Sequence, residues 1–578
     1  MLYTAIVSDQ YKIFPETEPG TVPKLCPEDC TCFSDEPFSF QLCLRWDGGG
    51  FLPVSVSAES VLPVSAYRVG FVPVSDAASS NPYGEAGYEA AERGQYPDLL
   101  LARPACPEIV NDPSPFGGRM YTERDTAATV NLTKNGTQTL YFTVNEEKQP
   151  LAAGTWPLTV RVTELNGNTV LYEETVSLTV LGAELDKERP LYYTNWFHCD
   201  CLSDLYRAPV YGERFWEIFR SFVKNAARHS MNTLLTPCFT PPLDTIVGRE
   251  RMNVQLVDVT VTAEGYRFGF DRLRTFIREA KACGIRYFEH SHFFSQWGAK
   301  HAPNIYAQTE NGYERIFGWE TDAAGEDYRA FLAAYIPAFL AFAEEEGIAD
   351  RLVFHISDEP SKSCEENYRL AADGVRKLLG EHITADALSD YLYYEKGLVQ
   401  TPIASVDHAA DFEGRCPHYW LYYTCGAYAR SCPNRLITNT AARTRILGAQ
   451  LYLHGAEGFL HWGYNNYYDR LSVGIADPMT DPCGYKGMPG ASFLVYPGTD
   501  GNVIPSIREQ LMDKAMCDCR ALRTAERYLG ADRVRTICVN ALGGDEMTRI
   551  PADDAVLRLR RDLCRAVKDA LAAEGENA

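Results

Sequence analysis

Two adjacent carboxylates, Asp358 and Glu359, stand where an apolar run breaks off: Leu352-Val353-Phe354-His355-Ile356 gives way to Ser357-Asp358-Glu359-Pro360. A run of that length closed by a proline reads as a parallel strand covered on both faces. In barrels built from such strands the chemistry sits at their carboxyl ends, which makes the pair a candidate acid/base site. The same four letters occur earlier as Ser34-Asp35-Glu36-Pro37, after the turn-like Cys26-Pro27-Glu28-Asp29-Cys30-Thr31-Cys32, so the letters alone are not the signal. Context separates the copies. The later one precedes Ser363-Cys364-Glu365-Glu366, which reads as a capping box opening a helix with Cys364, Tyr368, Ala371, Val375 and Leu378 on one face. The earlier copy has neither neighbour and is expected to be a solvated loop.

The elements that must position such a pair follow a regular rhythm from Leu191 onward: apolar run, loop, amphipathic helix. Strands are predicted at 191–197, 233–236, 285–288, 352–356, 383–387, 403–406, 419–423 and 458–462, with helices beginning near Glu213, Asp271, Asp327, Ser363, Tyr394, Asp411, Pro433 and Ser506. Eight alternations predict a (β/α)8 barrel of TIM type, the sixth unit being the weakest. Two excursions interrupt it, a hairpin at 256–270 and an aromatic-rich loop at 293–322. Before the barrel, short β-rich runs punctuated by Gly, Pro and Asn predict a β-sandwich. The expected organisation is therefore a sandwich domain over 1–185, the catalytic barrel over 186–530, and a carboxy-terminal extension over 531–578 with a short strand and a charged helix.

Residues just past each strand of a barrel share one rim. Here that rim gathers His198 and Asp200 from the first strand, and Glu289, His290 and His292 from the third with Gln296, Trp297 and Lys300 in the loop after it. The fourth strand gives Asp358 and Glu359, the fifth Ser389 and Asp390, the sixth Asp407 and His408. Tyr422 and Tyr423 come from the seventh, and His461, Trp462, Tyr464 and Asn465 from the eighth. Such an acidic and aromatic rim suits a carbohydrate, which exposes apolar C–H faces beside dense hydroxyls. The substrate-binding candidates are His198, Asp200, His292, Trp297, Tyr423, Trp462, Tyr464 and Asn465, with Tyr423 rather than Tyr422 turned inward. The histidines match no metal-ligand spacing, so no metal and no cofactor are expected.

Hydrolysis of a glycosidic bond needs an acid for the leaving oxygen and usually a second carboxylate across the ring. The seventh strand ends in Tyr422-Tyr423-Thr424, without that second carboxylate. A mechanism that uses the substrate's own 2-acetamido oxygen as nucleophile instead wants two neighbouring carboxylates on one side, as at Asp358 and Glu359.

The stretches Trp196-Phe197-His198-Cys199-Asp200, Gln296-Trp297-Gly298-Ala299-Lys300, Ser357-Asp358-Glu359-Pro360, Gly458-Phe459-Leu460-His461-Trp462-Gly463-Tyr464-Asn465 and Tyr496-Pro497-Gly498 resemble glycoside hydrolase family 123. The resemblance covers about 191–529 well and the amino-terminal region loosely. It implies a retaining β-N-acetylgalactosaminidase working by substrate assistance, with Glu359 as acid/base and Asp358 orienting the acetamido group. The expected function is release of terminal β-linked N-acetylhexosamine, N-acetylgalactosamine above others. The alternatives are a hydrolase of a different sugar on the same scaffold and a non-catalytic carbohydrate-binding protein.

Bulk properties bound the partners. Fifty-five Lys and Arg against 77 Asp and Glu give a net charge of −22, which repels phosphate backbones and anionic bilayers and excludes nucleic acid and membrane surfaces as expected partners. No apolar stretch is long enough to span a bilayer, and the amino terminus lacks a basic, then apolar, secretory pattern. The 18 cysteines are then expected as reduced thiols in a cytoplasmic protein.

Overall fold

All eight predicted runs form strands: Tyr192–Asn195, Thr233–Thr236, Tyr287–His290, Leu352–Phe354, Ile383–Leu388, Thr401–Ser405, Trp420–Tyr422 and Gly458–His461. In the computed structural model they pair in parallel, each with the next, and the last pairs with the first to close a barrel. Residues 1–89, 94–102, 106–111, 119–124, 127–165, 167–424, 427 and 431–576 are described. The period-two alternation of a strand sorts the side chains. Val353, Ala385, Ile403, Trp420, Tyr422 and Leu460 meet Trp196 inside the barrel, whereas Phe354, one residue on from Val353, packs its ring against Phe339 of the helix Glu326–Glu345.

Helices Glu213–Arg228, Asp271–Cys283, Glu326–Glu345 and Glu365–Leu379 follow the first four strands. After the fifth strand there is only Leu392–Glu395, and after the sixth a 3-10 turn, Val406–Asp411. The expected capping box at Ser363 does not form: Cys364 is the N-cap of Glu365–Leu379 without a side-chain cap, and the Ser363 hydroxyl meets that of Ser361 at 2.8 Å. At Ser506 the cap is made, its hydroxyl accepting from the Glu509 amide at 3.0 Å. The two excursions each supply a hairpin, Asp258–Thr262 with Gly265–Gly269 and Ile305–Thr309 with Gly312–Phe317, and these join in one four-stranded sheet.

The chain groups into two compact units. Pro190–Asn434 and His454–Val503 form the one with the barrel strands; Met1–Arg189, Arg435–Leu453 and Ile504–Ala578 form the other. The latter contains two five-stranded sheets whose facing side chains, among them Phe40, Leu42, Phe142, Val56, Val160 and Leu178, make one core. Its second core joins Phe33, Leu181 and Leu185 to Ile446, Leu522, Val534 and Leu559, so apolar burial ties the helices of Ile504–Ala578 to the amino-terminal strands. The tail after Gly530 is two helices, Ala531–Leu542 and Ala555–Glu576, and not the expected strand and helix.

The earlier Ser-Asp-Glu-Pro copy is not a solvated loop. Asp35 and Glu36 are 4% and 5% exposed. Asp35 accepts from the Leu185 amide at 2.8 Å and pairs with Lys187, while Glu36 accepts from the Phe33 amide at 3.0 Å and pairs with Arg560 at 2.6 Å. Buried carboxylates persist where donors and a cation satisfy them, and those partners come from far along the chain. Among the described residues no helix is long and apolar enough to cross a membrane.

Candidate active site

The fourth strand ends at Phe354, so Asp358 and Glu359 lie on the loop beyond it, where strand alternation no longer applies. Glu359 has φ of +41° and turns the chain, so both carboxylates line one cavity of about 260 Å³ in the barrel unit. Backbone hydrogen bonds grip the pair from two sides: the Trp297 amide donates to the Asp358 carbonyl at 2.7 Å, and the Glu359 amide donates to the Ala387 carbonyl at 3.1 Å. The loop that delivers Trp297 is itself wound through positive φ at Trp297, Gly298 and Ala299. A Cβ at Gly298 would lie 2.5 Å from the Cys364 sulfur, so this position requires glycine.

Burial raises the Asp358 carboxyl well above its ordinary range, and the neighbouring charges of Glu359 and Asp386 push the same way. Glu359 is also raised by burial, opposed by the hydrogen bond it accepts from the Tyr422 hydroxyl at 2.8 Å and by the charge of Lys486. Two carboxyls buried in one pocket resist ionising together.

A buried polar network lies behind Asp358. His355 Nε2 reaches Glu289 Oε1 at 3.0 Å, and Nδ1 lies 3.7 Å from Asp386 Oδ1. Burial alone would hold this imidazole neutral, but Asp386 and Glu289 outweigh it and bring it up to about 10. Glu289 further accepts from the Thr194 hydroxyl at 2.5 Å and the Trp196 indole at 3.3 Å. Asp386 accepts the Ile356 and Ser357 amides at 2.9 and 3.2 Å and the Tyr368 hydroxyl. The residues just before the carboxylate pair are thus fixed by a carboxylate from the neighbouring strand.

Across the cavity, His198 donates from Nε2 to the Trp462 carbonyl at 3.0 Å and accepts from Arg251 at Nδ1 at 3.4 Å. Burial, with the Arg251 charge, lowers it to about 4, so it is neutral at pH 7. Trp462 packs on Tyr485 with ring centroids 4.7 Å apart, and the Tyr485 hydroxyl donates to Asp244 at 3.0 Å. Among the described residues no group of three or more His, Cys, Asp or Glu side chains could hold a metal ion.

This barrel-top site now stands beside known proteins. The model of the glycoside hydrolase 123 catalytic domain matches residues 196–525, more than half of the chain. The chain belongs to glycoside hydrolase family 123. Its chemistry is the hydrolysis of glycosidic bonds, and its substrate a carbohydrate. A solved family 123 glycoside hydrolase from Clostridium perfringens matches over 100% of both chains with a TM-score of 0.69 at 13% identity. A family 39 glycoside hydrolase from Bacteroides cellulosilyticus covers 82% of this chain and 79% of its own, with a TM-score of 0.30 at 10% identity. No curated protein matches the chain in sequence.

In this family 123 barrel the expected site residues divide. His198, Trp297 and Trp462 line the cavity with Asp358 and Glu359. Tyr423 does not: its ring packs against Phe459 and His461 at 4.8 and 5.5 Å, on the other side of the strand from Tyr422, which takes the inward place. Tyr464 is also turned away, its hydroxyl meeting Asn225 and the Phe222 carbonyl at 3.0 and 3.2 Å. Asp200 binds Arg251 at 2.7 Å and Asn465 clasps both backbone groups of His198, so these two hold His198 and leave the cavity wall to it. His292 is buried between Trp196 and His355, ring centroids 5.0 and 4.7 Å away, and among the described residues its nitrogens have no hydrogen-bond partner.

Sequence reasoning missed Asp244, Tyr485 and Lys486 in the cavity wall and Arg251 behind it. They sit on long loops after the second and eighth strands, where neither apolar periodicity nor a strand end marks them. His355 and Asp386 lay inside the predicted strands, where an ionisable letter within each largely apolar run was a readable signal.

Proposed function

We propose that this family 123 glycosidase releases terminal β-linked N-acetylhexosamine with retention of configuration, using the substrate's acetamido group as nucleophile. The observation that carries the reading is that Asp358 and Glu359 line one cavity from the same loop and share its low-dielectric surroundings. The opposing carboxylate in the wall, Asp244, is already engaged. Its oxygens accept from the Tyr485 hydroxyl and the Leu471 amide, both at 3.0 Å, which leaves it poorly suited as a nucleophile.

In this reading protonated Glu359 gives its proton to the glycosidic oxygen as the C1–O bond breaks, and the acetamido oxygen bonds to C1. Asp358, whose carboxyl burial raises, is drawn to its charged form by the acetamido N–H it accepts, leaves the proton on Glu359, and offsets the charge of the oxazolinium ion. Glu359, now a carboxylate, takes a proton from the water that reopens the ring at C1, and two inversions restore the β configuration. Trp462 and Trp297 offer ring faces to the sugar, and Tyr422 holds Glu359 in place. N-acetylgalactosamine is the preferred sugar on the strength of the family resemblance. The Clostridium perfringens relative is described as acting on glycolipid glycans, which makes the exposed end of a glycan a fitting target here.

Turnover of aryl β-glycosides with and without the 2-acetamido group tests this. Activity confined to the acetamido sugars is expected, with a β-anomer as first product by NMR; equal turnover of plain galactosides would sink substrate assistance. Glu359→Gln should cost about 10²–10⁴-fold on substrates with poor leaving groups and far less on activated aryl glycosides, while Asp358→Ala should impair both.

A further inference from the structure

A cavity of about 500 Å³ opens in the unit of the amino-terminal sheets, within the roughly 300–1,000 Å³ span of small-molecule sites. Most of its wall is the segment 10–23 that follows strand Leu2–Ser8. Lys12 lines it and is 9% exposed. The Lys12 ammonium donates to the carbonyls of Ile437 and Asn439 at 2.6 and 2.7 Å, and among the described residues it forms no ion pair. An ammonium carries three protons, so two carbonyls leave one N–H for a further acceptor. Burial of a cation without a carboxylate partner is costly, and it brings this amine down to about 8 against the pull of Glu89 and Asp98. Beside Lys12 the wall is apolar. Tyr11 and Val22, each half-buried, pack against the buried cluster Ala5, Val7, Ile13 and Cys43, which holds the Tyr11 ring as a fixed face.

We propose that this cavity is a second carbohydrate site, in the unit without the barrel, and that it takes a neutral, hydroxyl-rich sugar residue. A sugar hydroxyl accepts the remaining N–H of Lys12 and donates to carboxylates of the wall, while a C–H face of the ring stacks on Tyr11. The charges select against other ligands. Glu16, Glu18, Glu89 and Asp553 line the cavity with Lys12 as the one cation among its lining residues. An acidic sugar meets four carboxylates there, and a small cation meets the buried ammonium; a neutral sugar meets neither penalty. The family's substrate is a carbohydrate, and a glycan that carries a scissile bond carries other sugar residues that are not cut. Holding one of those would slow the departure of the glycan without touching the reaction.

The test titrates the whole enzyme by calorimetry with methyl β-galactoside, methyl β-glucoside and methyl β-glucuronide, none of which has an acetamido group. At least one neutral glycoside is expected to bind, at least tenfold tighter than the glucuronide. Tyr11→Ala should weaken that binding at least tenfold and leave kcat/KM on aryl glycosides within twofold. Lys12→Met should weaken it similarly; that change also strips two carbonyls of their donor, so where it prevents folding the half-buried Tyr11 decides the matter. Neutral glycoside binding that survives Tyr11→Ala but is lost in Trp462→Ala would put the sugar in the barrel and overturn the proposal. Tighter binding of the glucuronide or of propylamine than of either neutral glycoside would overturn it too, as would no binding of either neutral glycoside.

Discussion

His355 and Glu289 meet at 3.0 Å between Nε2 and Oε1, both fully buried, and Asp386 stands 3.7 Å from the other ring nitrogen. One cation is thus held between two carboxylates, three residues before Asp358. Buried ions of this kind are kept only where each has its partner, so the histidine positions the loop that carries Asp358 and Glu359.

That arrangement predicts a pH dependence of stability. The folded imidazole is raised to about 10, above the roughly 6.5 of an unfolded histidine, so its contribution is complete below about pH 6.5 and is lost as pH rises through about 10. His355→Gln should destabilise the barrel unit by about 3–5 kcal/mol at the acid end, with the gap to wild type shrinking toward about pH 10. Thermal unfolding across that range checks it; a gap that widens with pH would contradict the assignment.

Tyr422 sets the proton affinity of Glu359. The hydrogen bond from its hydroxyl favours the carboxylate, so Tyr422→Phe should raise the Glu359 pKa and carry the alkaline limb of the kcat/KM profile to higher pH. A loss of about tenfold in kcat is expected with it, since Glu359 also loses its orientation. Tyr423→Phe, on the outer face of the strand, should leave the profile unchanged.

The twin tetrapeptide separates stability from catalysis. Glu36→Gln breaks a buried pair with Arg560, which keeps Asp518 at 3.4 Å, and should cost about 3 kcal/mol in urea unfolding. Its kinetic constants should match wild type at temperatures where both are folded, in contrast to the same change at Glu359.

Two aromatic residues two positions apart should behave differently. Trp462→Ala removes a face from the cavity and should raise KM about tenfold. Tyr464→Phe loses the bonds to Asn225 and Phe222 and should lower stability by about 1 kcal/mol while KM stays the same.

The barrel and the place of Asp358 and Glu359 at its rim were legible because apolar runs bounded by turn residues report burial along a strand, and strand ends report the rim. The cavity wall was less so. Asp244, Tyr485 and Lys486 come from loops with no periodic signal, and the choice between Tyr422 and Tyr423 turns on which of two adjacent residues at the end of a short strand faces inward, a shift of one position that hydropathy cannot resolve. The helix expected at Ser506 forms as Ile507–Leu529, while the one expected near Pro433 begins only at Ala441 and is split into Ala441–Arg445 and Leu447–Leu453; all three belong to the unit with the amino-terminal sheets.

By itself the sequence determined the eight-strand alternation, the strand-end position of Asp358 and Glu359, and a family motif set spread over the barrel, all of which depend on local pattern. Tertiary structure alone decided that Asp35 and Glu36 are buried ion-pair partners and that Asp358 and Glu359 are neighbours in one cavity whose carboxyls burial raises. The reason is that burial and charge pairing join residues far apart along the chain: Arg560 reaches Glu36, and Asp386 and Glu289 reach His355 from the neighbouring strands. Identical tetrapeptides acquire different chemistry because the field around a carboxylate is made by its neighbours in space.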